Sequence, residues 1–385
     1  MSGAGETLPD ELANQARYGG TYCNALYTLH GEPGAAPIRV GFAGPAEALI
    51  GIESYLLHDA RYRGAAPAAG TAGEMDQALG AVPPCDVILA VVPDGALAHC
   101  PGTAIARLPW RINQALVIDQ DWAGILRDFS PVERRKQALY QRNGYQLRVS
   151  AAAQDFALFF DRYYLPMMQG RHGTTAITMT REAALTEVFA HGRIFWIACG
   201  AELLAGVLCK LDEAAGTVHF KLVGTRDGDV RYLKQEALSA AYYFVAEWAC
   251  ANGYRKVDYQ LSVPFLRKGI FQFKRKYHAT VSVPPPFRGM TLALSARADS
   301  PQLRSFLESN PCIGFGADGA LVARYFAAPG SDPSRLVPFR CPGLATMQVT
   351  DPATLFGAQA LQSSHSAQPA PAAPCNRQRS PFTGA

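Results

Sequence analysis

The most constraining feature of the sequence is the order of apolar runs between residues 192 and 279. Three runs with strand character are separated only by Gly200 and by a turn at Asp212–Gly216, which predicts an antiparallel meander. Apolar residues at helical spacing follow and end at Asn252-Gly253, so one long helix is predicted. The predicted strands are Ile194–Ala198, Leu203–Leu211, Val218–Val223 and Val257–Val263, with a long helix at Lys234–Asn252 and a basic helix near Lys268–Tyr277.

This order of elements favours a particular kind of site. A strand, a helix and a second strand allow the two strands to be neighbours that separate near the start of the helix. Separated strands leave backbone N–H groups free, and a helix start adds partial positive charge. Such a place can hold a pyrophosphate and a developing oxyanion, and acyl transfer needs both.

Charge and cysteine content exclude several classes of protein. The formal net charge of +4 over 385 residues is too small for a surface that coats DNA. The nine cysteines are odd in number and include no CxxC pair, so we expect reduced thiols and no metal site. Two domains of ordinary size fit the length.

The N-terminal residues carry no recognisable targeting signal. Residues 1–11 are acidic and contain neither the basic nor the apolar region of a secretory signal. The longest apolar run, around Cys85–Val92, is less than half of a membrane span. We therefore expect a cytoplasmic protein without a membrane span.

A small α/β layer is predicted in the first third of the chain. Ile38–Phe42 and Val87–Val92 have the character of short buried strands, with a helical stretch near Pro45–Leu57 between them. Further along, Ser130-Pro131-Val132-Glu133 is a capping box, so a helix starts there. Cys312–Phe326 is predicted to be a hairpin.

Four segments carry a recognisable pattern. They are Val218–Gly224, Arg231-Tyr232, Gly253–Tyr259 and Gly269–Ala279, the last containing Phe273-Lys274. Together they resemble the GNAT superfamily of N-acyltransferases, and within it the Fem-like and cellulose-biosynthesis-type branch, over about residues 110–280. The resemblance implies a mixed α/β (α+β) chain with the GNAT-like acyl-CoA N-acyltransferase fold. By analogy, the N-terminal part is a degenerate first GNAT-like half.

The resemblance also divides the chain into five parts. We expect an N-terminal extension at 1–36, an N-terminal α/β half at 37–127, a GNAT-like acyltransferase domain at 128–290, a hairpin-containing region at 291–357, and a disordered tail at 358–385.

Four residues are candidates for catalysis, each with a plainer alternative. Lys274 is implied to steady the donor or the tetrahedral intermediate, or else is a solvated surface charge. His219 can accept the amine proton, or is a hydrogen-bonded histidine on a half-exposed sheet. Asp258 orients a substrate amine or anchors a loop, and Tyr259 is an acid for the leaving thiolate or a packed tyrosine. Strand alternation predicts His219 and Lys221 on one face, with the residues between and after them on the other.

The resemblance places donor binding at the end of the third meander strand and the start of the long helix. The glycine pattern usual for the family is reduced here, and Leu233-Lys234-Gln235 stands where the family has Ser-Pro-Gly. Side-chain cations are expected to replace backbone donors on phosphate. The predicted donor-binding residues are Leu222, Val223, Gly224, Arg226, Gly228, Arg231 and Lys234.

We expect an N-acyltransferase that takes an acyl group from an activated donor, acyl-CoA, and passes it to an amine of a small molecule or peptide, with no bound cofactor. One alternative is a Fem-like transferase with an aminoacyl-tRNA donor, whose phosphates contact Arg134, Arg135, Lys136 and residues 267–276. Another is a GNAT-shaped protein that only binds a ligand or partner. DNA is not an expected partner, tRNA is expected only in the Fem-like alternative, and a homodimer is left open.

Overall fold

The computed structural model describes residues 21–31, 36–56, 63–64, 72–172, 178–331 and 336–356. Within these residues the protein has the predicted mixed α/β architecture, with strands in three sheets. The expected tail at 358–385 lies outside the described residues.

The strands are β1 (Tyr22–His30), β2 (Ile38–Pro45), β3 (Arg63–Gly64), β4 (Ala72–Gly73), β5 (Val87–Pro93), β6 (Thr103–Pro109), β7 (Ile112–Val117), β8 (Tyr145–Ser150), β9 (Gly192–Cys199), β10 (Glu202–Asp212), β11 (Thr217–Thr225), β12 (Lys256–Ser262), β13 (Thr280–Ser282), β14 (Met290–Ala296), β15 (Cys312–Phe315), β16 (Leu321–Phe326) and β17 (Thr346–Thr350). The helices are α1 (Ala46–Leu56), α2 (Met75–Gly80), α3 (Trp122–Asp128), α4 (Pro131–Arg142), α5 (153–172, π-helical at Phe160–Tyr164), α6 (181–191, π-helical at Ala184–Val188), α7 (Val230–Lys234), α8 (Ala237–Ala251), α9 (Gly269–Arg275) and α10 (Pro301–Ser309).

The second sheet contains the predicted meander. Its strand order is β13-β7-β12-β11-β10-β9-β8, and β9, β10 and β11 are successive antiparallel neighbours, as predicted. Strand β12 returns parallel to β11, with α7 and α8 between them in the chain. Helix α8 covers one face of this sheet with a core that includes Val207 and Val245, and α5 covers the other with a core that includes Phe159 and Trp196.

The first sheet combines distant parts of the chain. Its order is β3-β1-β2-β5-β14-β6, with β4 also paired to β1. Strand β14 lies between β5 and β6 and is antiparallel to both. The predicted domain ranges therefore do not coincide with the sheets: β7 precedes residue 128 yet lies in the second sheet, and β14 lies in the first. Long-range strand pairing leaves no local signal in the sequence, which is why the ranges missed it.

Part of the expected N-terminal extension belongs to this first core. Strand β1 pairs with β2 over its whole length, and Tyr27 and Leu29 are fully buried. From Ala25 to Leu29 buried and half-buried residues alternate, as in a strand with one face on a core. The extension is thus a structural strand from Tyr22 onward.

A third, smaller sheet lies near the C-terminus. The predicted hairpin is confirmed as β15 and β16, with Gly319 in the turn at a φ of 78°. Strand β17 adds to β16 in parallel.

The predicted long helix is interrupted at its start. Gln235 ends α7, and Glu236 takes a left-handed φ of 63° before α8 begins. The Glu236 carboxylate accepts hydrogen bonds from Lys136 at 2.8 Å and from Ser239 at 2.6 Å. The break is therefore held by a contact with α4, which the local pattern did not reveal.

Candidate active site

Strands β11 and β12 run parallel but pair only at the start of each strand. The paired positions are Thr217 with Lys256, Val218 with Val257, and His219 with Asp258. Beyond them β11 stays bonded to β10, while β12 pairs with β7 through Leu261 and Ser262. The change occurs at Gln260, which has a left-handed φ of 66°. Two neighbouring strands therefore separate directly after His219 and Asp258, as the order of elements predicted.

A β-bulge at Lys221 adjoins this opening. Two consecutive residues of β10 lie opposite Phe220 and Leu222, so Lys221 has no partner across the β10–β11 pair. An inserted residue changes the face on which the following residues lie. Phe220 and Val223 pack on the α8 side, whereas Leu222 packs under α5. The predicted alternation, with Phe220 and Leu222 on one face, is wrong because the bulge interrupts it.

His219 and Asp258 form the polar centre of the opening. The Nδ1 atom of His219 lies 2.9 Å from Oδ2 of Asp258. The same carboxylate accepts two hydrogen bonds from Gln260, at 2.9 Å from the backbone N–H and at 2.8 Å from the side-chain amide. Lys221 donates to Oε1 of Gln260 at 3.1 Å. We call the connected side chains of His219, Lys221, Asp258 and Gln260 the splay network.

The charge of Asp258 determines how His219 is protonated. Burial raises the pKa of Asp258, but hydrogen bonds from His219, Gln260 and Asn113 outweigh it and hold the pKa below its usual value. An ionised carboxylate only accepts hydrogen bonds, so Nδ1 of His219 carries a proton. In a neutral imidazole Nε2 then keeps its lone pair. The His219 side chain is 23% exposed, so this lone pair can serve as a base for a bound amine.

Lys274 lies beneath the opening and points at the backbone. The residue is 2% exposed, and its Nζ donates to the carbonyl oxygens of Gln260 at 2.9 Å and Leu261 at 3.0 Å. A third contact joins Nζ to Ser262 Oγ at 3.3 Å. Burial lowers the pKa of Lys274 to about 7, whereas the carbonyl acceptors favour the ammonium form. Lys274 thus stabilises the backbone where β12 leaves β11, and it reaches the splay network only through the Gln260 carbonyl.

A buried amide extends this support. Ser262 donates to Oε1 of Gln114 at 3.0 Å, and Nε2 of Gln114 donates to the Phe271 carbonyl at 3.2 Å. Gln114 is fully buried in β7. The chain of contacts fixes β7, β12 and α9 to one another behind the opening. Sequence reasoning missed Gln114, although a glutamine between Ile112 and the apolar run Ala115–Val117 was a signal for a buried polar contact.

Tyr259 lies on the opposite face of β12. It is 2% exposed, and its ring contacts Phe220, Tyr242 and Tyr277 at centroid distances of 5.3, 4.9 and 6.2 Å. Burial raises its pKa well above the usual value, and its hydroxyl has no hydrogen-bond partner among the described residues. The structure therefore places Tyr259 in the core under α8 and does not bring it together with His219.

The glycines predicted to hold the donor pack against α5. A Cβ atom added at Gly224 would lie 2.4 Å from the α5 backbone, and one at Gly228 would lie 2.8 Å from it. Arg162 of α5 also donates to Asp227 at 2.6 and 3.0 Å. Glycine is needed at both positions because β11 and the loop after it approach the α5 backbone closely.

Acidic side chains pair with two of the three predicted donor cations. The Asp229 carboxylate accepts from the Arg231 backbone N–H at 2.7 Å and lies 3.2 Å from its guanidinium. Arg226 pairs with Glu202 at 3.2 Å, and Lys234 is exposed in the last turn of α7. A carboxylate that caps a helix start uses the N–H groups that a phosphate would contact. Most of the predicted phosphate contacts are thus already occupied within the protein.

The described part of the chain has neither a membrane-spanning helix nor a group of metal-ligating side chains. No helix there has the length and apolarity to cross a bilayer. No cluster of three metal-ligating side chains was found there either.

No family model matches this chain, and no curated protein matches it by sequence. Among solved structures, L-PGS from Bacillus licheniformis is 13% identical, with 78% of this chain and 95% of that chain covered and a TM-score of 0.34. FemX is 11% identical, with 73% and 90% covered and a TM-score of 0.37. A GCN5-related N-acetyltransferase from Sphaerobacter thermophilus is 12% identical, with 70% and 79% covered and a TM-score of 0.29.

Nothing about donors or acceptors follows from likenesses at such low identities and TM-scores. The second sheet has the order that the sequence predicted: an antiparallel meander, a helix, and a parallel strand that separates from its neighbour.

Proposed function

We propose that this protein is an N-acyltransferase, with an activated acyl donor and an amine acceptor. The observation that carries the proposal is the separation of β11 from β12 directly beside the His219–Asp258 pair. Backbone groups at a strand opening can bind an acyl carbonyl, and an oriented imidazole can remove a proton. Both parts of an acyl-transfer site are therefore adjacent.

The reaction assigns one task to each part of the opening. The acceptor nitrogen attacks the acyl carbonyl carbon, and a C–N bond forms as the amine proton passes to Nε2 of His219. The negative charge on the carbonyl oxygen is met by backbone N–H groups near Leu222–Gly224, on the edge of β11 that faces away from β10 and is no longer paired with β12. The carbonyl re-forms as the bond to the leaving group breaks, and the proton on His219 is available to that group. Asp258 holds the imidazole in place throughout.

Acyl-CoA is our first candidate donor, with a thiol as the leaving group. The second is an aminoacyl-tRNA, for which Arg134 and Arg135 are exposed on α4. Lys136 is not available for tRNA, because it is 14% exposed and bonded to Glu133 and Glu236. The Asp229 carboxylate caps the start of α7 and repels phosphate there. The loop therefore favours a donor whose phosphates it binds only weakly.

The test is turnover with a panel of acyl-CoAs and charged tRNAs against a mixture of amines, read by mass spectrometry of the products. His219→Gln keeps the size and a hydrogen-bonding amide but removes the base, so transfer should fall by about 10²- to 10⁴-fold. His99→Gln, in an exposed pair with Asp76 of α2, is the matched control and should be active. Absence of transfer from every donor, with the fold intact, would leave the ligand-binding alternative. Full activity of His219→Gln would remove the proposed base.

A further inference from the structure

The open face around the splay network carries two lysines without an acidic partner. Lys210 of β10 is directly opposite His219 in the β10–β11 register, so their side chains leave the sheet on the same face. Lys221 follows His219 on β11 and reaches Gln260. No ion pair of the described residues includes Lys210 or Lys221.

The nearby carboxylate of Asp258 carries one negative charge and can offset only one of these two cations. Both oxygens of Asp258 accept hydrogen bonds, from His219 at one oxygen and from Gln260 at each. Burial lowers the pKa of Lys221, the charge of Asp258 opposes this, and the charge of Lys210 adds a smaller lowering. Lys221 therefore lies close enough to Lys210 for their charges to repel. A second anion would relieve this repulsion.

We propose that Lys210 and Lys221 form an anion subsite beside His219, and that the acceptor is an amine that also carries a carboxylate or phosphate group. The inference rests on the proposed acyl-transfer function. It adds the class of acceptor.

The same charges help the chemistry. An amine in water is mostly an ammonium ion, which cannot attack a carbonyl. Two neighbouring lysines disfavour that extra positive charge, so they favour the free amine next to His219. The anionic group supplies the binding energy that the neutral amine lacks. It also offsets the positive charge that His219 gains when it takes the proton.

There is room for an acceptor beside these residues. Lys210 lines a surface depression of about 540 Å³ together with His191 and Arg193. Asp212 and Glu213 also line it. An acceptor held at Lys210 can extend into this depression.

The experiment compares matched acceptors on the full-length protein. Calorimetry would measure binding of glycine, β-alanine and γ-aminobutyrate against their amides, and of phosphoethanolamine against ethanolamine. We expect an anionic member to bind at least about tenfold tighter than its neutral match, equivalent to about 1.4 kcal/mol. The pair that shows the preference tells carboxylate from phosphate.

Three variants locate the subsite. Lys210→Met and Lys221→Met should each shrink the preference for the anion, and the double variant should abolish it, with binding of the neutral probes unchanged. Lys256→Met is the control, because Lys256 lies on the same face one row away, opposite Thr217. Circular dichroism checks that each variant is folded.

Equal binding of the anionic and neutral members of every pair, no binding of any anionic probe at millimolar concentration, or a preference that survives the double variant would overturn the subsite. If Lys256→Met weakened the preference for the anion equally, the anion would be attracted by the positive charge of the whole face. That result would overturn the subsite as well. Anion-selective binding without acyl transfer from any donor would instead defeat the proposed function and leave the subsite standing. Acyl transfer that prefers neutral amines would support the proposed function and overturn the subsite.

Discussion

Lys274 is the most deeply buried charge at the candidate site, and its surroundings make opposing demands. Three acceptors surround its Nζ atom, and Ser262 already gives its own proton to Gln114. Three acceptors call for the three hydrogens of an ammonium group. Burial favours the neutral amine and lowers the pKa of Lys274 to about 7. The balance between hydrogen bonding and burial is therefore measurable as a dependence of stability on pH.

Lys274→Met is the first prediction. In the native protein Lys274 loses its proton near pH 7, while in the unfolded chain it keeps it to about pH 10.4. The unfolded state therefore binds more protons between these values, and native stability rises with pH there. The free energy of unfolding of the wild type, relative to the methionine variant, should grow by a few kcal/mol from pH 7 to 10, since one pKa unit equals about 1.4 kcal/mol.

Denaturant titrations at several pH values measure this difference. Lys276→Met, at a partly exposed position two residues away, is the control and should show no comparable growth. The methionine at 274 should destabilise the protein at every pH, because it leaves the carbonyls of Gln260 and Leu261 without a donor. A difference that stays flat from pH 7 to 10 would show that hydrogen bonding keeps Lys274 charged.

Asp258→Asn is the second prediction. The asparagine has nearly the same shape, but its amide can donate to Nδ1 of His219 and so favour the tautomer in which Nε2 carries the proton. The proposed base would then lack its lone pair, and transfer should fall by about 10²- to 10⁴-fold. Steady-state kinetics should show the loss mainly in kcat, because no substrate contact is removed. A change confined to KM would instead make Asp258 a substrate-binding residue.

At the scale of elements, α5 and the loop before α7 form one clamp. Arg162 binds Asp227, and Gly228 approaches the α5 backbone with a φ of 69°. The loop carries two of the predicted donor residues, Arg226 and Gly228, so its position relative to α5 controls one side of the opening. The π-helical turn Phe160–Tyr164 is the part of α5 that lies against Gly224.

Gly228→Ala is the third prediction, with Gly253→Ala as its match. Both glycines have positive φ, so each alanine costs about 1 to 2 kcal/mol of backbone strain. An added Cβ at Gly253 meets nothing within 4 Å, whereas one at Gly228 lies 2.8 Å from the α5 backbone. Overpacking adds about 1 to 3 kcal/mol at Gly228 only. Thermal unfolding of the two variants should therefore differ, and equal losses would mean that α5 and the loop move apart freely.

Local patterns in the sequence predicted most of the second sheet. The meander, the helix after it and the return strand have strong periodicity and turn residues, and the opening between β11 and β12 followed from their order. The bulge at Lys221 was not predictable, because it depends on register with β10. The break at Glu236 depends on Lys136, a hundred positions earlier, and local spacing cannot report such a contact.

The same limit applied to the candidate site. His219 and Asp258 were identified as candidates, and the structure joins them. Gln260 was not, because its hydrogen bond to Asp258 goes with a left-handed backbone angle that the sequence does not reveal. The motif predicted that Lys274 acts on the donor. A motif does not tell in which direction the side chain points. The Lys274 side chain points into the protein. Lys210 was overlooked, since its place opposite His219 is again a matter of register.

At the scale of the whole molecule, the chain enters the first sheet twice. Residues up to Pro109 build it, β7 to β13 then complete the second sheet, and β14 returns to fill the place between β5 and β6. Leu292 and Leu294 of β14 are at most 1% exposed in the core of the first sheet. The first sheet therefore closes only after the second has been synthesised.

This topology gives the fourth prediction, tested by hydrogen exchange with mass spectrometry. Leu292→Ala removes buried methyl groups from the first core and should cost about 2 to 5 kcal/mol. Because the two sheets have separate cores, amides of β5 and β6 should exchange faster in this variant, while those of β9 and β10 keep the wild-type rate. Val207→Ala, fully buried in the second core, should show the opposite pattern. Equal acceleration in both sheets by either variant would mean that the returning strand β14 couples them into a single cooperative unit.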